Sequence, residues 1–117
     1  MRREGPLTVA LCLILGATAW GQSVAGMGGL AGVVRDPSGA VVPGAKVIVA
    51  NEAKGIRRTL ESNSAGLFTA PALAPSTGYA VTVTKEGFAT WEARDLEILV
   101  GQDINLNVTL SVAVAAT

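Results

Sequence analysis

Residues Gly66 to Phe88 read GLFTAPALAPSTGYAVTVTKEGF. Tyr79, Val81 and Val83 alternate with Ala80, Thr82 and Thr84. A period of two is the mark of a strand with one buried face. Pro75-Ser76-Thr77-Gly78 reads as a turn before it, because proline fixes φ and glycine tolerates φ > 0. Upstream, Leu67-Phe68-Thr69 reads as a short strand ended by Pro71. Downstream, Gly87 breaks the long strand and places Phe88 to fold back onto the core. The stretch is therefore two strands joined by a Pro/Gly-punctuated crossing, and it predicts an all-β domain.

The flanking segments repeat the pattern. Leu30–Arg35 (LAGVVR) predicts a strand with Leu30 and Val34 on one face. Its internal Gly32 marks a close backbone approach. Asp36-Pro37-Ser38-Gly39 and Val42-Pro43-Gly44-Ala45 read as turns, the first closed by Asp36 as an Asx-turn. Lys46–Asn51 predicts a strand with Val47 and Val49 inward, and Glu52–Gly55 reverses the chain. Ile56–Ser62 is a polar strand suited to an edge, where Arg57, Arg58 and Glu61 oppose edge-to-edge pairing. Asn63–Gly66 is a further turn. In Thr90–Val100 the second half alternates, with Leu96, Ile98 and Val100 together. Gly101-Gln102 reads as a hairpin turn into Asp103–Leu110, where Ile104, Leu106, Val108 and Leu110 face in. About seven short strands with turns at roughly ten-residue intervals are the signature of a β-sandwich.

The N-terminus carries a different signal. Arg2 and Arg3 precede the apolar run Leu7–Ala17, and small residues follow. This is the n/h/c pattern of an export signal peptide. The run falls short of the ~20 apolar residues that span a bilayer. Cleavage fits after Ala19 or after Gly21; the second leaves the polar start Gln22-Ser23, so residues 1–21 are assigned to the signal, as a helix. Residues 22–29 read as a flexible lead-in, 30–110 as the sandwich and 111–117 as a C-terminal tail. Cys12 is the chain's one cysteine and sits in the apolar run. The exported domain thus rests on its own core, without disulfides. Its expected location is the periplasm, the outer membrane or the extracellular space.

Charge and composition narrow the chemistry. Nine basic residues balance nine acidic ones, which offers no electrostatic case for nucleic acid. The chain has no histidine, so Ser/His/Asp and Cys/His arrangements are excluded. No cofactor or metal is implied: Asp36 with Ser38 offers two oxygens, where calcium takes six to eight. The acidic residues scatter among turns and outward positions, so the chain reads as non-catalytic. Asn107-Val108-Thr109 is a glycosylation sequon by pattern, read here as accidental.

The ordered set of short motifs resembles the carboxypeptidase regulatory-like domain, a transthyretin-like (prealbumin-like) seven-stranded sandwich. Gly32–Gly39 resembles its opening strand and turn, and Val42–Val47 its P-G-A-x-V step. Asn63–Phe68 resembles its acidic-glycine-aromatic turn, with Asn63 or Ser64 where an acid is usual. Pro75–Tyr79, Lys85–Phe88 and Val100–Leu110 resemble its later steps. Modules of this appearance stand at the N-terminus of bacterial TonB-dependent, Oar-like outer-membrane receptors. The resemblance implies a non-catalytic interaction module, with a protein partner or downstream receptor domains at the outer membrane. On this reading the chain is either a free-standing module or the front end of a longer reading frame.

Two sets of residues are candidates for binding. Arg57 and Arg58 mark a polar strand edge at which a partner strand could pair, and the tail Ser111–Thr117 is a second such edge. The alternative is a carbohydrate-binding module of the carbohydrate-binding-like fold, with polysaccharide as partner. Sugar stacking needs an exposed aromatic ring. Phe68, Tyr79 and Phe88 read as core, which leaves Trp91, with Glu92 beside it, as the platform.

Overall fold

The computed structural model describes residues 26–113. The signal segment 1–21 and residues 114–117 of the tail lie outside them. Seven strands form two sheets: β1 (Gly28–Arg35), β2 (Lys46–Asn51), β3 (Ile56–Glu61), β4 (Leu67–Leu73), β5 (Ser76–Thr84), β6 (Trp91–Ile98) and β7 (Asp103–Thr109). The three-stranded sheet has the order β4-β1-β7, and the four-stranded sheet β3-β2-β5-β6. All pairs are antiparallel except β1 with β7, which run parallel. The architecture is the seven-stranded sandwich that the alternation predicts.

The core fills from the alternate positions. Leu30, Val34, Val47, Val49, Tyr79, Val81, Val83, Val108 and Leu110 are all within 1% of full burial. Tyr79 is the largest of the fully buried side chains. Ile104 and Leu106 are half-buried against this core, and Phe88 packs there too.

The turns are built as their composition predicts. Asp36 Oδ1 accepts from Ser38 N (2.9 Å), Ser38 Oγ (2.6 Å) and Ala40 N (3.1 Å). The Ser38 hydroxyl above all holds this carboxyl below its usual pKa. Asn63 Oδ1 does the same work in its turn, accepting from Ala65 N (2.9 Å) and Leu67 N (3.0 Å). Buried Ser62 ties the Val42–Ala45 turn down: its Oγ donates to Val42 O (2.7 Å) and accepts from Ala45 N (2.8 Å).

Five local expectations are corrected. First, β1 starts at Gly28, inside the stretch read as a flexible lead-in. Gly28 and Gly29 are buried, and a Cβ on either would collide with Leu99 O or Asp103 Oδ1. Second, Pro71 does not end β4, which runs to Leu73. β4 is an edge strand, where a missing N–H is tolerated. Third, Ser76–Gly78 belong to β5 rather than to a turn. Gly78 has φ 88°, and the register with β6 slips between Ser76 and Tyr79, so it forms a bulge. Fourth, Gly101-Gln102 is not a hairpin turn: β6 and β7 lie in different sheets, and the chain crosses between them there. Fifth, Val100 points to solvent, 60% exposed, because it sits in that crossing and not on β6. The tail is also partly committed: Ala89 N bonds Ser111 O (2.8 Å), Ala113 N bonds Gly87 O (3.1 Å), and Phe88 pairs with Val112.

Gly32 fulfils the expectation of close approach. Its Cβ position is occupied by the Phe68 ring and lies 2.6 Å from the Leu106 carbonyl oxygen. Gly32→Ala should therefore lower stability by about 1–3 kcal/mol, the range for overpacked cores. A urea melt of both proteins measures it; an unchanged midpoint would refute this account of the β1–β4–β7 packing.

Candidate functional site

Residues adjacent along a strand point to opposite faces, and this separates Trp91 from Glu92. Trp91 pairs with Val83, and Glu92 with Thr82. Val83 is fully buried, so Trp91 is on the inner face, half-buried against the core. Glu92 is on the outer face, where both its oxygens engage Arg94, at 3.1 Å from Nε and 3.2 Å from Nη2. The two residues are not brought together.

Arg57 and Arg58 part in the same way. Arg57 is exposed on the outer face of β3. Arg58 falls between Ile56 and Leu60 in the inward phase, and all three are half-buried. Its guanidinium reaches across the mouth of the sandwich and donates to Pro71 O (2.9 Å) and Ala72 O (3.0 Å) of β4. Arg58 thus clasps the two sheets together at the β3/β4 side. This role was missed from the sequence. The signal was available: an arginine in phase with Ile56 and Leu60 sits at an inward position.

Asn51 is the second residue missed, and it is in phase with buried Val47 and Val49. It is 1% exposed, and its Nδ2 donates to Thr77 O (2.9 Å). Tyr79 completes the set by donating its hydroxyl to Ala74 O (2.6 Å). Burial pushes the Tyr79 phenol above its ordinary pKa, and nearby Arg58 opposes this. Three side chains of the four-stranded sheet therefore hold carbonyls at the β4–β5 crossing and in the strand ends that flank it.

The outer face of that sheet carries a shallow groove of about 470 Å³. Ala50 and Ala80 pair directly, and two small residues side by side make the hollow. Ile48 and Thr82 continue its floor, and Arg57, Glu92, Arg94 and Asp95 rim it. Among the described residues no cluster of three or more His, Cys, Asp or Glu could hold a metal. None of their helices is long and apolar enough to cross a membrane. The geometry offers mixed-charge contact surface and strand edges.

Fold and surface define an immunoglobulin-sized β-sandwich module. The carboxypeptidase regulatory-like domain model matches residues 29–111, and the chain belongs to that family. Its fold is shared by several solved structures. The minor pilin GBS52 of Streptococcus agalactiae is similar at TM-score 0.62 and 12% identity, covering 80% of this chain and 48% of the pilin. The Bacillus anthracis TIE protein is similar at TM-score 0.61 and 17% identity, over 74% of this chain and 17% of that one. A catechol 1,2-dioxygenase from Acinetobacter is similar at TM-score 0.61 and 10% identity, over 77% of this chain and 54% of that one. The chain thus spans from about a sixth to about half the length of these proteins. No curated protein matches the sequence.

Two predictions follow from the crossing. Arg58→Ala should cost about 1 kcal/mol in a urea melt, since it leaves two carbonyls without their charged donor. Arg57→Ala should stay within about 0.5 kcal/mol, as surface substitutions do. Equal effects would refute the clasp. Tyr79→Phe gives a pH signature. The folded phenol holds its proton above the ordinary value of 10.0, so the unfolded chain loses its proton first as pH rises. The stability that Tyr79 adds over Tyr79→Phe is then complete below about pH 10 and is lost as pH climbs toward the raised value. Melts of both proteins from pH 8 to pH 11, taken as a difference, test this; a difference that grows with pH would reverse the sign.

Proposed function

We propose that this chain is an exported, non-catalytic interaction module that works through its sheet edges and faces, as the N-terminal domain of a TonB-dependent receptor-like protein or a free copy of one. One observation carries the reading. The interior is an apolar core with two buried polar side chains: Ser62 is spent on backbone groups, and Asn51 gives its Nδ2 to Thr77 O while its Oδ1 has no partner among the described residues. The charged side chains and the free strand edges therefore lie on the outer surface, and function is placed there. Family membership supports a regulatory or docking role, and the leader pattern of residues 1–21 supports export. The fold by itself does not decide chemistry, since a dioxygenase shares it. Against catalysis, the titratable groups of the described residues are dispersed over exposed turns and strand faces.

Sugar binding is the weaker reading. Its platform, Trp91, is half-buried on the inner face, and the groove on the outer face has no exposed aromatic ring to offer a sugar. Stacking on that groove has no partner.

The test is an immunoblot of fractionated source cells with antibody against residues 30–110. The expected result is an outer-membrane band much larger than the 11.8 kDa chain. A small band in periplasm or medium would remove the receptor part and leave the exported module. A cytoplasmic band would overturn export.

A further inference from the structure

A two-sheet sandwich has four edge strands, here β3, β6, β4 and β7. Bare edges pair with other chains, and proteins blunt them with charge, proline and bulges. Three of these edges are blunted. β3 carries Arg57, Arg58 and Glu61, and Arg58 is clasped to β4. β4 contains Pro71 and is kinked at Ala72, φ 56°. β6 carries Glu92, Arg94, Asp95 and Glu97 and is kinked at Asp95, φ 58°, with two register slips against β5.

β7 has none of these devices. DINLNVT has no proline, no glycine and one charge, at its first residue. Its register with β1 is unbroken from Asp103 to Thr109. The bonds Gly29 N to Gln102 O and Leu110 N to Arg35 O fix the phase of this parallel ladder. Even-numbered Ile104, Leu106 and Val108 turn their N–H and C=O groups to β1. Asp103, Asn105, Asn107 and Thr109 turn theirs to the open side, and among the described residues β1 is the only strand beside β7. The side chains next to that opening are apolar and half-buried: Ile104 and Leu106 on β7, Trp91 and Leu96 on β6. The opposite opening is closed by Arg58; this one has no such clasp among the described residues.

We propose that this edge is where a second copy of the chain binds, adding its own β7 antiparallel about a two-fold axis at Leu106. The proposal rests on the reading of the chain as an edge-pairing module. The sequence of β7 is self-complementary in that register. Asn105 faces the partner's Asn107, and Asp103 faces the partner's Thr109, so no like charges meet. Ile104 lies opposite the partner's Val108, and Leu106 opposite its own copy, all on the inner face. The outward-turned residues fall into hydrogen-bonded pairs, each exchanging two N–H···O bonds. A one-residue slip would set inner residues against outer ones. The product is one continuous sheet, β4-β1-β7 joined to the partner's β7-β1-β4, in an isologous dimer.

The test is sedimentation equilibrium of the full chain over a concentration series into the millimolar range, where a mass of twice the monomer is expected. Asn105→Lys/Asn107→Lys sets lysines directly opposite each other and should halve that mass. Asn105→Glu/Asn107→Glu should do the same. Both pairs of side chains are exposed, so the urea midpoints should hold, and mixing the two variants should restore a one-to-one dimer. Register is read separately with Leu106→Cys in a Cys12→Ser background. Directly opposed non-hydrogen-bonded residues lie about 4.5 Å apart at Cα, within disulfide reach, so oxidation should yield a covalent dimer. A wild-type chain that stays monomeric overturns the proposal and gives the edge to a strand of another protein, with the module reading intact. A dimer that survives both double variants also overturns it.

Discussion

The fold depends on satisfying the carbonyls exposed where the chain leaves one sheet for the other. Between β4 and β5 the backbone passes from the three-stranded to the four-stranded sheet within Ala74 and Pro75. A chain that changes sheets gives up its ladder partners, and its carbonyls must find new donors or water. Here Pro71 and Ala72 are met by Arg58, Ala74 by Tyr79 and Thr77 by Asn51. The donors come from β3, β5 and β2, three of the four strands of the receiving sheet. The crossing is thereby stitched to the sheet it is about to join. Tyr79 is central, because the ring that fills the core also carries the hydroxyl that closes the corner.

The parallel β1–β7 pair closes the domain in a second way. It joins the first described strand to the last, so the three-stranded sheet is complete only once β7 has been added. Such long-range pairing is slow to form, since loop closure precedes the contacts that reward it. The glycines of β1 suit this pairing. Gly28, Gly29 and Gly32 admit Leu99 O, Asp103 and the Phe68 ring where side chains would stand. The strand gives up side-chain burial there and gains closeness to both its neighbours.

Alternation made the strands and most of the core legible, since burial imposes a period of two on residues such as Val47, Val49, Tyr79, Val81 and Val83. Turn chemistry was legible for the same local reason at Asp36 and Asn63. What local pattern could not give was which sheet a strand joins. Gly101-Gln102 has hairpin composition, yet the strands it links lie in different sheets, and composition carries no record of that. Pro71 misled because its meaning depends on edge position, a tertiary fact. Arg58 was misread because its polarity was taken for exposure, and Asn51 was passed over. Their phase along the strand pointed inward, and phase outranks polarity when a backbone carbonyl waits on the other side.

The same reasoning decides where binding chemistry on this scaffold can be assembled. Neighbours in sequence, such as Trp91 and Glu92, diverge by a full sheet thickness, whereas residues two apart or paired across strands converge. Glu92 and Arg94 meet for the first reason, and Ala50 and Ala80 for the second. The outer groove is therefore a product of cross-strand pairing, and its character follows from what pairs there: a small apolar floor with a rim of both charges. Such a surface holds no preference for a polyanion or a polycation and has no ring for stacking. Its one strongly organised rim pair is already neutralised within itself. If the chain works as the interaction module proposed, its recognition falls to backbone groups, whose geometry is fixed by the ladder, more than to side-chain chemistry on the sheet face.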